Sequence, residues 1–97
     1  MYKMQIFQEV ISEVIDATEI EKEQILSPCK REEVVDARAV LIKLLSEKGL
    51  YPMQISRLTG INLRSVTKFL LGFRERIDSR KILRMNYERM RKKLGMT

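Results

Sequence analysis

The segment 52–71 constrains the fold most, because it predicts two short helices joined by a tight turn at Gly60. Pro52 suits the first position of a helix, where its missing N–H needs no partner. Gly60 supplies the positive φ that such a turn requires, and Asn62 is a favourable N-cap for the following helix. Ser56 is small enough for the second helix to cross the first closely. We therefore predict a helix-turn-helix; the alternative is a helical hairpin with an ordinary capped turn.

The apolar residues of this segment fall on the facing sides of its two helices, which leaves a polar outer face on the second helix. Arginine can pair with guanine O6 and N7, serine and threonine with several base edges, and leucine with a thymine methyl. We therefore expect the second helix to contact base edges in a DNA major groove, or to contact a protein instead. The outward positions are Leu63, Arg64, Ser65, Thr67, Lys68 and Leu71.

Helical spacing of apolar residues extends over the rest of the chain, and no alternating strand pattern occurs. Thr18 is predicted to begin a short second helix with a capping box. Gly72 is predicted to end the second helix of the helix-turn-helix. Asp78 is predicted to cap the last helix. The fold class expected is therefore all-α, with five to six helices in one domain over residues 1–97. The predicted helices are 4–17, 18–26, 31–48, 52–60, 63–71 and 78–94.

Charge is distributed unevenly along the chain, whose formal net charge is +6. Residues 1–25 carry two lysines against six acidic residues, whereas residues 50–97 carry twelve lysines and arginines against three acidic residues. A basic excess concentrated around a helix-turn-helix favours an anionic partner, and double-stranded DNA above all.

Several other functions are excluded by residues that the chain lacks. It has no histidine, which removes histidine-dependent triads and the common zinc sites. Its single cysteine, Cys29, cannot form an internal disulfide, which favours a reducing compartment. No apolar run approaches the ~18 residues of a membrane span. We therefore expect a cytoplasmic, nucleoid-associated binding protein with no catalytic residues, no cofactor, no metal and no membrane partner.

Residues 25–41 resemble the C-terminal DNA-binding domain of the bacterial replication initiator DnaA, of the Trp-repressor-like superfamily. The shared pattern is a Leu-Ser pair, a basic loop with Lys30 and Arg31 after Pro28, and a helix containing Ala37-Arg38-Ala39. With the helix at the start of the chain, the similarity covers residues 7–70. The resemblance implies that residues 62–68 enter a major groove, while Lys30 or Arg31 reaches into the adjacent minor groove.

The sequence departs from that family at its most characteristic motif. The family's Asp-His-Thr-Thr-Val is Asn62-Leu63-Arg64-Ser65-Val66 here, which argues against recognition of the usual initiator box. No ATPase domain and no glycine-rich phosphate loop accompany the motif. The resemblance therefore implies DNA binding in the control of replication or transcription, without origin melting by this chain alone.

Candidate contacts follow in two groups. The first group is expected to contact bases or the grooves, and the second to contact phosphates. The first group consists of Lys30, Arg31, Asn62, Leu63, Arg64, Ser65, Thr67 and Lys68. The second group consists of Arg57, Arg74 and Arg76.

The basic last helix is the remaining feature that needs an explanation. Its basic side chains have three interpretations: they contact DNA phosphates, they bind RNA, or they are only solvated. Its apolar stripe of Leu83, Tyr87, Met90 and Leu94 needs a cover, either the domain core or the same helix of a second copy in a homodimer. A protein-interaction module on the same fold, recruiting a replication or transcription partner, is the alternative function.

Overall fold

Six α-helices account for most of residues 2–96, the part of the chain that the computed structural model describes. No strand occurs in this range, so the prediction of an all-α fold with five to six helices is confirmed. The helices are α1 (Tyr2–Thr18), α2 (Lys22–Ile25), α3 (Glu32–Glu47), α4 (Pro52–Thr59), α5 (Leu63–Asp78) and α6 (Lys81–Lys93).

Helix α3 lies at the centre of the domain and packs against each of the other five helices. The sequence places Val34, Ala37, Leu41, Leu44 and Leu45 on its inward side, and all of them are buried. Burial extends further round the helix than this stripe, because a helix with neighbours on every side has no solvent-facing side along its middle turns. The additional buried apolar residues of α3 are Ala39, Val40 and Ile42.

The predicted capping box at Thr18 is wrong, because this residue ends α1 instead of beginning α2. Its hydroxyl donates a hydrogen bond to the Val14 carbonyl at 2.7 Å and accepts one from the Ile20 N–H at 3.3 Å. The chain then reverses through Glu19, whose φ is +58°. Helix α2 is left with a single turn that begins at Lys22.

The prediction that Gly72 ends a helix is also wrong, and α5 continues to Asp78. Phe73 is 2% exposed and its ring meets that of Tyr87 edge-on, with 4.9 Å between ring centroids. Ile77 packs against the same core. These contacts outweigh the cost of a glycine inside a helix, which is about 1 kcal/mol. Asp78 therefore ends α5 and does not cap α6, whose N-cap is Arg80.

The apolar stripe of α6 is covered by the chain's own core. Tyr87, Met90 and Leu94 are buried and Leu83 packs against them. The Tyr87 hydroxyl donates a 2.7 Å hydrogen bond to the carboxylate of Glu47 at the end of α3. Of the two covers that the sequence allows for this stripe, the structure shows the domain core of the same chain.

Two glycine substitutions test the backbone of the turn and of α5. An added Cβ meets no atom within 4 Å at Gly60 or at Gly72, but Gly60 has a φ of +79° whereas Gly72 is helical. We expect Gly60→Ala to lower the free energy of unfolding by about 1–2 kcal/mol and Gly72→Ala to raise it by about 0.5–1 kcal/mol. Urea denaturation measures both, and a destabilising Gly72→Ala would contradict an uninterrupted α5.

The Tyr87–Glu47 hydrogen bond predicts a loss of stability in alkali. Burial, followed by the bond to Glu47, raises the pKa of Tyr87 above its ordinary value. The unfolded chain then loses the tyrosine proton from about pH 10 upward, while the folded chain retains it. Stability is therefore full below about pH 10 and falls as the pH rises further.

Urea denaturation between about pH 9 and pH 11 measures this effect. Tyr87→Phe should flatten the pH dependence. Tyr51→Phe is the matched control, because Tyr51 is 72% exposed, and it should keep the wild-type dependence. Equal pH profiles for the two variants would rule out the assignment to Tyr87.

Candidate nucleic-acid interface

The turn between α4 and α5 is fixed by hydrogen bonds from two hydroxyl groups. Gly60 adopts the left-handed conformation and its N–H donates to the Ser56 carbonyl at 2.9 Å. The Ser56 hydroxyl donates to the Ile61 carbonyl at 2.6 Å. Thr59, which is 5% exposed, donates to the Ile55 carbonyl at 2.7 Å and accepts from the Ile61 N–H at 3.2 Å. Ser56 is therefore not only small enough for the two helices to cross closely; its hydroxyl also stabilises the turn.

Helix α5 begins at a side-chain cap, as the sequence predicts. The Asn62 carbonyl oxygen Oδ1 accepts a 2.8 Å hydrogen bond from the Ser65 N–H. Val66, one residue later, is fully buried against the core. The cap and this buried anchor together fix which side of α5 faces outward.

The outward face of α5 carries the side chains that the sequence assigns to it, with one exception. Leu63, Arg64, Thr67, Lys68 and Leu71 are exposed. Ser65 is half-buried and turns towards α3, where it lines a groove. Leu63 and Leu71 are 40% and 83% exposed, respectively.

This face is positive over its first turns and acidic at its end. No acidic residue occurs between Glu47 and Glu75 in the sequence. Arg64 and Lys68 form no ion pair with any residue in the range 2–96, and the dipole of α5 adds positive potential at its N-terminus. Glu75 and Asp78 then reverse the sign on the last turn.

The loop between α2 and α3 lies beside the start of α5. A groove of about 580 Å³ is lined by loop residues 27–30 on one side and by Asn62 and Ser65 on the other. Lys30 therefore borders the same concavity as the first turn of α5. Arg31 does not border this groove: it lines a separate cleft and pairs with Glu33 at 3.3 Å.

Arg38 holds this loop in place, a role that the sequence analysis missed. Its side chain is almost fully buried, and Nε donates to the Ile25 carbonyl at 2.7 Å and Nη2 to the Gln24 carbonyl at 3.4 Å. Burial lowers the pKa of Arg38 from its ordinary value. The sequence gives one indication of this role. Arg38 lies four residues after Val34 and three residues before Leu41, so it falls on the inward side of α3.

Arg76 has structural partners, which sets it apart from the other predicted phosphate contacts. Its guanidinium pairs with the buried carboxylate of Asp36 at 2.9 Å and lies over the Phe69 ring, 5.9 Å from the ring centroid. Arg80 binds the other oxygen of Asp36 at 2.9 Å and also pairs with Glu32. Arg57 and Arg74 are exposed and form no ion pair in the part of the chain that the structure describes.

Residues 2–96 contain neither a metal-binding cluster nor a helix that could span a membrane. Within that range no cluster of three or more His, Cys, Asp or Glu side chains is arranged to hold a metal ion. No helix in the same range combines the length and apolar character needed to cross a bilayer.

Comparison with protein-family models, with curated proteins and with solved structures gives no significant match.

Proposed function

We propose that this chain binds double-stranded DNA in a sequence-dependent manner through α4 and α5, in the control of replication or transcription, and that it catalyses no reaction. The observation that carries the proposal is the placement of two positive elements around one groove. The exposed face of Arg64 and Lys68 lies on one element, and Lys30 lies on the other. Some helix-turn-helix proteins bind DNA with one element in the major groove and a second element in the adjacent minor groove.

The groove between them suits the sugar-phosphate strand that separates the two DNA grooves. With the start of α5 in the major groove and Lys30 in the minor groove, that strand passes between the loop and α5. Ser65 lines this passage, so we assign its hydroxyl to a phosphate in place of a base edge. Arg64, Thr67 and Lys68 remain the candidates for base contacts, with Leu63 against a thymine methyl.

Phosphate contacts would supply most of the affinity and little of the sequence preference. Arg57 and Arg74 suit this role, because both are exposed and neither forms an ion pair with a carboxylate of residues 2–96. Arg76 does not, because its guanidinium already holds α5 to α3. The exposed cations of α6 provide further contacts; they are Lys81, Arg84, Arg89, Lys92 and Lys93.

A protein-interaction module is the alternative function. It is favoured by the exposure of Leu63 and Leu71 on the face proposed for DNA. A stoichiometric protein partner, recovered without any binding of duplex DNA, would select this alternative.

Binding to a random duplex should depend steeply on salt. For about five phosphate contacts, the logarithm of the binding constant should fall against the logarithm of salt concentration with a slope of roughly −4 to −5. Fluorescence anisotropy between about 50 and 200 mM salt measures this slope. Undetectable binding at the lowest salt concentration would overturn the proposal.

Two arginine variants separate base contacts from phosphate contacts. Arg64→Ala should cost about 1–3 kcal/mol on the preferred site and relax the preference at one base pair. Arg89→Ala, an exposed arginine of α6, should weaken binding to all sequences alike and reduce the salt slope by about one. Selection from a randomised duplex pool measures the preference, and identical effects of the two variants would defeat this division.

A further inference from the structure

Leu71 is the most exposed large apolar side chain in the described part of the chain, at 83%. Its neighbour Leu70 packs against the core, and Leu71, about 100° further round the helix, points into solvent. Residues three, four and seven positions apart share one face of a helix. Leu71 therefore shares the outward face of α5 with Arg64, Thr67 and Lys68.

The composition of this face narrows the ligand that Leu71 can meet. It combines an apolar group with cations, Lys68 before it and Arg74 after it, both exposed. The major groove of duplex DNA offers the complementary arrangement, because phosphates border the groove and the C5-methyl of thymine is the apolar group on its floor. An apolar surface on a protein partner could pack against Leu71 without the flanking cations.

The end of α5 limits how far the helix follows the groove. Glu75 and Asp78 are exposed one and two turns after Leu71, and neither carboxylate can lie close to phosphates without repulsion. The helix must leave the groove before these residues. Leu71 is therefore the last outward apolar side chain of α5 before the acidic residues.

We infer that Leu71 is a specificity-determining residue that packs against a thymine methyl, so that the target site contains a thymine at a fixed distance from the base pair that Arg64 contacts. This inference rests on the proposed function. Seven residues of helix span about 10 Å, which corresponds to roughly three base-pair steps at 3.4 Å each.

Replacement of thymine by deoxyuridine tests the inference, since it removes the methyl group and leaves the hydrogen-bonding groups unchanged. The preferred duplex is first selected from a randomised pool, and each thymine of that site is then replaced in turn. The replacement roughly three base pairs from the position that Arg64→Ala relaxes should weaken binding of the wild-type chain about threefold to tenfold.

Leu71→Ala should abolish this thymine-to-uracil difference at that position and keep the differences elsewhere. Its fold should be unaffected, because the side chain is exposed, and thermal denaturation checks this. Ile82→Ala is the matched control: Ile82 is 74% exposed on α6, and its variant should discriminate thymine from uracil as the wild type does.

The opposite results are distinguishable from one another. If the wild type binds DNA but no thymine replacement is coupled to Leu71, the inference fails and the proposed function stands. If no duplex binds at low salt, both fail. If Leu71→Ala leaves DNA affinity unchanged and instead abolishes binding of a protein partner, Leu71 belongs to a protein interface and the inference is wrong.

Discussion

Helix α3 is packed against all five other helices, and the arrangement of the domain depends on that burial. A helix surrounded in this way cannot shift without disturbing several interfaces at once, since protein interiors are close-packed. The first helix, the α4–α5 unit and the last helix are therefore positioned relative to one another through α3. The residues of the candidate DNA-binding face are exposed and lie outside this core, but the packing around α3 sets the orientation of the face.

Two charged residues of α3, Asp36 and Arg38, connect the core to the two elements of the candidate interface. Arg38 binds the carbonyls that precede the basic loop. Asp36 binds Arg76 in the last turn of α5 and Arg80, the N-cap of α6. Both are buried and both are partnered, which is the condition under which a buried charge is tolerated. Directional bonds of this kind fix orientation in a way that apolar packing alone does not. Loss of either one would therefore displace an element of the interface and not only weaken the fold.

Local chemistry predicted the helices and the turn well, because residues such as Gly60 and Asn62 act on their immediate neighbours. It failed at Gly72 and Asp78, where local signals conflicted with the Phe73–Tyr87 contact between residues distant in sequence. It also failed at Thr18, whose hydroxyl bonds to the helix before it instead of capping the helix after it. The roles of Asp36 and Arg38 depend on partners 13 to 44 positions away, so no local pattern specifies them. Likewise, the sequence offered Lys30 and Arg31 as equivalent candidates, and only the path of the loop places Lys30 beside α5.

The continuity of α5 through Gly72 has a mechanical consequence. The helix is a single rod about 24 Å long, with Arg64 and Lys68 on an exposed face over its first turns and Phe73 buried in the core further along. A ligand bound to the exposed face near the start of α5 also restrains Phe73, because no loop separates the two parts of the helix. Local opening of the Phe73–Tyr87 contact would then require the rod to bend or the ligand to leave. A ligand bound to this face is therefore expected to slow hydrogen exchange in the buried part of α6 around Tyr87, which packs on Phe73.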